Sequence, residues 1–346
     1  MVQALRFRDI AQGIADYLAQ FDAVFAGLPE RLAFDAGGVR FSVASNLPGW
    51  LEGAAPLLQG AGQGCGEAVR IAVVDAASPF RGLRWADAFY HAREVEMALE
   101  PTPFRLVYMP EYGFWQVYDR AARVGVQWME TPGSRPPWDG GAPLRAFLHW
   151  ALAGADRGLV HAGTLACGDA GVLLAGAGGS GKSGTVIAGV LAGLATVGDD
   201  YVLAALDAGP VAMPVFNTLK QDPAGFGRLG LGRYLDPAPP LNWQEKHQFT
   251  LRALTGAGMP ARIGLRAILL PKVAGVGPSR LAPATPREAF LALAPSSLSQ
   301  NTGERGGSVA FIARLTRMLP CHVLHLGPDP VEVAGFLREF IEGGAA

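Results

Sequence analysis

The sequence predicts an α/β protein in two parts: a smaller N-terminal α+β domain over residues 1–130 and a larger domain over residues 144–346, in which helices cover a sheet. Three observations predict it. The first third is built of alternating apolar and polar runs separated by turn signals. The stretch "ETPGSRPPWDGGAP" (residues 130–143) then breaks every pattern with Pro and Gly, which makes 131–143 the linker. From residue 144 onward, short apolar strands alternate with helical stretches, the pattern of a sheet with helices packed on it. At 346 residues the chain is long enough for two domains.

Taken in order, "MVQALRFRDIAQGIADYLAQF" reads as an amphipathic helix. "RLAFDAGGVRFSVAS" is two alternating runs around a Gly-Gly turn, hence a hairpin. "VRIAVVDA" is a further strand, and "FRLVYMPEYGFWQVYDRAARVGVQWM" is a β-meander through two turns. After the linker come the helix "LRAFLHWALA", the strands "GLVHAGTLA" and "GVLLAG", a helix from Lys182, and the strands "LATVG" and "YVLAAL". "LRAILLPKV", "CHVLHLG" and a final helix, "PVEVAGFLREFIEG", complete the pattern. No internal repeat is visible.

Composition narrows the function classes. Half the residues are hydrophobic and 17% are charged, enough to bury a core and too apolar for a disordered chain. The formal net charge is −1 and no basic stripe is interleaved with aromatics, so nucleic acid is not an expected partner. No apolar run reaches the roughly 18 residues that span a bilayer, and the N-terminus lacks a signal-peptide pattern, so neither a membrane nor export is expected. The three cysteines, Cys65, Cys167 and Cys321, are far apart, with neither zinc spacing nor the even count of a disulfide framework. The expected location is the cytoplasm.

The most informative stretch is "LLAGAGGSGKSGTV". Gly176-Ala177-Gly178-Gly179-Ser180-Gly181-Lys182-Ser183 fits GxxxxGK[ST] at every fixed position, after a compact apolar strand and before a helix. In such a loop the glycines let successive backbone N–H groups point at phosphates, and the helix adds its positive N-terminal end. Lys182 would reach the β- and γ-phosphates, and the Ser183 hydroxyl would ligate Mg²⁺. The nucleotide-binding set is therefore Gly176, Gly178, Gly179, Ser180, Gly181, Lys182, Ser183 and Gly184. Gly184 stands where threonine is frequent; glycine there weakens the first helical turn by roughly 1 kcal/mol relative to alanine.

Downstream, "LATVGDDYVLAAL" places Asp199 and Asp200 at the carboxyl end of an apolar run, where open α/β sheets bind ligands. One such acid can hold Mg²⁺ and the other can take a proton from an attacking hydroxyl. An Asp-Asp pair is otherwise an ordinary solvent-exposed turn. Upstream, His161 lies in an apolar strand, where a lone histidine is ordinarily a hydrogen-bonded core residue. His322 and His325 are three apart in a strand and so face opposite sides, which argues against a shared metal. Lys220 in "FNTLKQDP" could reach a phosphate, but reads more readily as a solvated loop lysine; Lys246 and Arg305 have the same standing.

His161, the 176–183 loop and Asp199-Asp200, in this order and spacing, resemble the core of HPr kinase/phosphorylase, and more closely a bacterial group of HPr-kinase-related serine kinases. "LVHAG", "GDDYVLA", "FNTLK", "ILLPK", "PSSLSQ" and "RLTRMLPCHVLHLG" are similar in style to that group, and the resemblance covers roughly residue 144 to the C-terminus. It implies a P-loop kinase-like sheet with helices of the HPr-kinase C-terminal-domain type. It implies ATP or another phosphoryl donor, a first Asp acting as base toward a serine hydroxyl, a second helping with Mg²⁺, and a supporting histidine. Carried over, these roles fall on Asp199, Asp200 and His161. The family's downstream signature segment with a catalytic arginine has no counterpart here, although "QNTGERGGS" offers Glu304 and Arg305. HPr as substrate and phosphorylase activity are therefore not carried over. Relatives are often oligomers, so a homo-oligomer is compatible with the sequence.

Two functions from different classes follow. One is an ATP- and Mg²⁺-dependent phosphotransferase moving the γ-phosphate to a serine-type hydroxyl of a protein, peptide or small molecule. Asp199, His161 and Lys182 would be its catalytic residues, and Ser183 with Asp200 its metal ligands. The other is a nucleotide-gated regulator with slow ATPase and no phosphorylated acceptor. A transporter or motor ATPase is disfavoured, since the chain carries no LSGGQ-like signature.

Overall fold

The computed structural model describes residues 2–58, 67–87, 91–273 and 275–343. The chain forms two compact units, one of residues 1–151 with 301–304, the other of residues 152–300 with 305–346. Both are mixed α/β, with mixed sheets. Cys65 lies outside the described residues.

In the first unit, a six-stranded sheet runs in the order Glu30–Ala36, Val39–Ser45, Val69–Asp75, Val124–Met129, Phe114–Asp119, Phe104–Met109. The hairpin and the meander read from the sequence are its two antiparallel wings. Gly37 and Gly38 turn the hairpin at φ +56° and +75°. Val69–Asp75 joins the wings, parallel to Val39–Ser45 on one side and to Val124–Met129 on the other. The core on one face holds Ile14, Tyr17, Phe21, Phe80 and Val95, with Trp115 stacked on Trp128 at 3.8 Å. The N-terminus departs from the expected single helix. Val2–Leu5 is a strand paired with Gly82–Trp85, and the helix begins only at Ile10. Between them Phe7–Asp9 forms a single 3₁₀ turn with no buried residue, in a stretch, "RFRD", that carries three charges and no apolar face.

Residues 131–143, read as a linker, and the helix Arg145–Leu152, read as the start of the second domain, stand differently. Asp139 and Gly141 are buried, and the chain belongs to the first unit as far as Ala151. Aromatic packing explains why. Phe147 and Trp150 each lie 6.1 Å from Tyr118, and Phe147 sits so close to Gly125 that a Cβ there would stand 2.5 Å from its ring. Burying Phe147 completely contributes roughly 1.5–3 kcal/mol.

In the second unit the path of the sheet is Gly163–Cys167, Ala170–Leu174, Ile263–Val273, Val211–Pro214, Val202–Ala205, Arg157–Val160. Cys321–Leu326 pairs in parallel with the later residues of Ile263–Val273, and Arg280–Ala284 pairs with Cys321–Leu326. Ala170–Leu174 runs parallel to Ile263–Val273 and antiparallel to Gly163–Cys167. Side-chain alternation splits these strands between two cores. Val172, Leu174, Ala267 and Leu269 face the helices Lys182–Leu191 and Pro330–Glu342, with Val186, Ile187 and Leu337. Leu173 and Ile268 face Pro286–Gln300 and Arg305–Met318, with Leu293, Phe311 and Leu315. A sheet covered on both faces explains why its strands read as unbroken apolar runs.

Two local departures set up the site. "GLVHAGTLA" is not one strand but two, Arg157–Val160 and Gly163–Cys167, and His161 falls in the break. "LATVG" is not a strand: only Ala195 bridges to Ala166. Its remainder is held by the Thr164 and Thr196 hydroxyls and by one backbone bond, Thr164 N to Gly198 O, with Gly198 at φ +153°.

Candidate functional site

The loop after Ala170–Leu174 leads into the ten-residue helix Lys182–Leu191. Gly179 and Gly181 take φ +79° and +100°, where L side chains are strained. At Gly181 a Cβ would also stand 2.6 Å from Leu326 Cδ1, so the turn requires glycine on both counts. Gly178 and Gly179 open outward, with no atom within 4 Å of where a Cβ would be. Gly176 lies over Ser180, whose Oγ is buried without a hydrogen-bond partner. Lys182 is only 7% exposed; its Nζ donates to the carbonyls of Gly176 and Ala177 at 2.5 and 3.1 Å. Burial pulls its pKa down, and the charges of Asp199 and Asp200 oppose that pull.

The segment 195–200 is fixed against Gly163–Cys167. Ala166 and Ala195 exchange backbone hydrogen bonds at 2.8 and 2.9 Å, and Thr164 N donates to Gly198 O at 2.9 Å. The Thr164 hydroxyl accepts from Val197 N and donates to Gly198 O, while the Thr196 hydroxyl accepts from Gly198 N. The two acids thus emerge from a rigid, buried corner rather than from a strand end. Gly163 is required there: a Cβ would stand 2.7 Å from Val186 and 3.6 Å from Asp199 Oδ1.

The acids have opposite surroundings. Asp199 is 3% exposed; burial and the neighbouring Asp200 charge push its pKa up to about 6, while a hydrogen bond from Ser183 and the charge of Lys182 oppose the rise. Its Oδ1 has no hydrogen-bond partner. Asp200 is partly buried, which raises its pKa, but its partners prevail. Lys220 Nζ donates to Oδ2 at 2.7 Å and His161 Nε2 meets Oδ1 at 2.8 Å, holding the carboxyl well below the usual range. His161 is anchored in turn by its backbone N–H to Ser297 Oγ at 2.9 Å, and its ring lies 5.5 Å from Tyr201, which bonds Gln300.

The residues present fit a phosphate chain and a divalent cation. Buried polar atoms without partners lie in the loop at Ser180 Oγ and close to Ser183 at Asp199 Oδ1, and the loop's outer face is open. Among the described residues no three His, Cys, Asp or Glu side chains gather to hold a metal alone. Such a set suits Mg²⁺, which takes one or two carboxylates together with substrate phosphates. Ser183 and one of the two acids would hold it.

The structure brings together Gly176, Gly178, Gly179, Ser180, Gly181, Lys182, Ser183, Gly184, Asp199, Asp200 and His161. It corrects two expectations. Lys220 is not a solvated loop lysine: it sits on the strand Thr218–Gln221, 14% exposed at its side chain, and clamps Asp200. Glu304 belongs to the first unit, where it pairs with Arg105 at 2.6 Å and Arg120 at 2.7 Å. Arg305 begins the helix Arg305–Met318. Lys246 is near enough for its charge to lower the Lys182 pKa further. Sequence reasoning missed Ser297 and Tyr201; "PSSLSQ" was the only signal for the former.

No family model matches this sequence, and no curated protein matches it. Among solved structures, the Hpr(Ser) kinase/phosphatase from Coxiella burnetii matches 52% of this chain and 94% of its own, at 10% identity and a TM-score of 0.29. No helix among the described residues is long and apolar enough to cross a membrane.

Proposed function

We propose that the second unit is an ATP- and Mg²⁺-dependent phosphotransferase whose acceptor is a serine-type hydroxyl on a protein, peptide or small molecule. The observation that carries this reading is the pair of adjacent acids, Asp199 buried and Asp200 partly so, with opposite pKa shifts beside a phosphate-binding loop. Neighbouring carboxyls driven apart in this way are suited to separate roles, one exchanging a proton and one staying charged.

Asp199, poised near 6, is ionised at neutral pH and takes up a proton readily, as a general base for an acceptor hydroxyl must. Asp200 stays anionic and is the better electrostatic partner for a cation. Mg²⁺ would neutralise charge on the phosphate oxygens, with Ser183 and Asp200 holding it. Lys182 supplies a buried positive charge to the β- and γ-phosphates, and the amides of 178–182 supply fixed donors. His161 bonds Asp200 rather than Asp199, so it steadies the cation-binding acid instead of the base. Most of the rate enhancement then comes from positioning and electrostatics.

The test is incubation of the protein with γ-labelled ATP and a cell extract, with Lys182→Ala as control. Label on a protein, peptide or small molecule, absent with Lys182→Ala, is the expected result. Release of free phosphate alone contradicts the transferase and leaves the nucleotide-gated regulator.

A further inference from the structure

Gly184 weakens the first turn of its helix, and the loop's own phosphate contacts do not require a glycine there. Its surroundings supply a reason. A Cβ at position 184 would stand 3.9 Å from Arg228 Nη2 and 4.0 Å from Gln221 Oε1. Arg228 closes the short helix Pro223–Arg228, is exposed, and has no carboxylate within ion-pair distance among the described residues. Gln221 is only 4% exposed, and its Oε1 accepts no hydrogen bond, a costly arrangement for a buried acceptor. An unpartnered cation and an unpartnered buried acceptor therefore face the same spot, at the positive N-terminal end of a ten-residue helix.

The geometry points to Arg228 as a phosphate-binding residue from outside the loop. It reaches the nucleotide's phosphate chain across Gly184, with one edge of its guanidinium donating to Gln221 Oε1 and the other to phosphate oxygens. The fork of five N–H donors suits this double engagement, which a lysine could not reproduce. A side chain at 184 would stand in the passage, so the glycine keeps it open. The inference rests on the loop binding a nucleoside triphosphate, as proposed above, and adds a contact that the GxxxxGK[ST] pattern does not contain.

Calorimetric titration of the full chain with ATP and with ADP, in the presence of Mg²⁺, tests it. Arg228→Gln is expected to weaken both about ten-fold or more with an unchanged melting temperature, the effect of losing a charge-assisted hydrogen bond. Gly184→Thr, a better helix former, is expected to lose affinity similarly by closing the passage. The double variant is expected to bind no more weakly than either single one, because both remove the same contact. Arg228→Gln within two-fold of the wild type, while Lys182→Ala loses binding, overturns the inference and leaves the loop reading intact. Strictly additive losses overturn the shared passage. A wild-type chain that binds neither nucleotide overturns both readings.

Discussion

Asp199 and Asp200 are consecutive in the chain, yet their environments differ: Asp199 is buried with an unpartnered Oδ1, while Asp200 meets Lys220 and His161. One consequence is thermodynamic. The folded pKa of Asp199, about 6, lies above the ordinary 3.8, so the folded state holds this proton more tightly than the unfolded one. Its contribution to stability is present in full below about pH 4 and is lost as pH rises through 6. At pH 8 the buried charge is a net cost. Asp199→Asn is therefore predicted to stabilise the protein on the order of 1–3 kcal/mol at pH 8 and to have little effect near pH 4, as read by denaturant unfolding at both pH values. A destabilised variant at pH 8 would show that this carboxylate is better satisfied than its surroundings imply. In the proposed transfer reaction the same group is predicted to give kcat/KM a rise through about pH 6. These residue types were legible in the sequence, and their opposite shifts were not. The shifts come from Lys220 and from burial, and Lys220 lies on a strand some twenty residues away that reads as a loop when taken alone.

At the scale of elements, the strand–loop–helix at 170–191 was legible because each part follows local rules: an apolar run, glycines at positive φ, then a helical pattern. The segment 195–200 was not, because its apolar run mimics a strand while threonine hydroxyls supply much of the pairing beside a few backbone bonds. Thr164 is the centre of that network, with hydrogen bonds to Thr196, Val197 and Gly198. Thr164→Val keeps the side-chain shape but leaves the Val197 N–H buried without its acceptor. The expected cost is about 1–3 kcal/mol, measured by thermal unfolding. Because this corner carries both acids, label transfer is expected to fall by more than ATP affinity does. An unchanged transfer rate would show that the acids are positioned by their own ion pairs instead.

At the scale of the whole chain, the sequence pattern changes near residue 140, whereas the two compact units divide at 151/152 and again at 301–304. Residues 301–304 belong to the first unit although helices of the second flank them. Their role there depends on groups distant in sequence. Glu304 meets Arg105, which is 5% exposed and also donates to the carbonyls of Leu99, Thr102 and Phe104, and Gly303 N bonds Glu96. Removing the carboxylate beside the buried Arg105 leaves its charge uncompensated, so Glu304→Gln is expected to destabilise the first unit by about 2–4 kcal/mol. Unfolding followed by near-ultraviolet dichroism of the Trp115–Trp128 stack reads that unit directly. ATP binding per folded molecule should not change if Glu304 serves only the first unit.

The central claim is that the loop and the two acids form one phosphoryl-transfer site with divided roles. Asp199→Asn tests it most directly, with ATP affinity and label transfer measured on the same preparation. The account predicts ATP affinity within a few-fold of the wild type and transfer reduced by about two orders of magnitude or more, the usual contribution of a positioned base. Transfer that persists at the wild-type rate would contradict it.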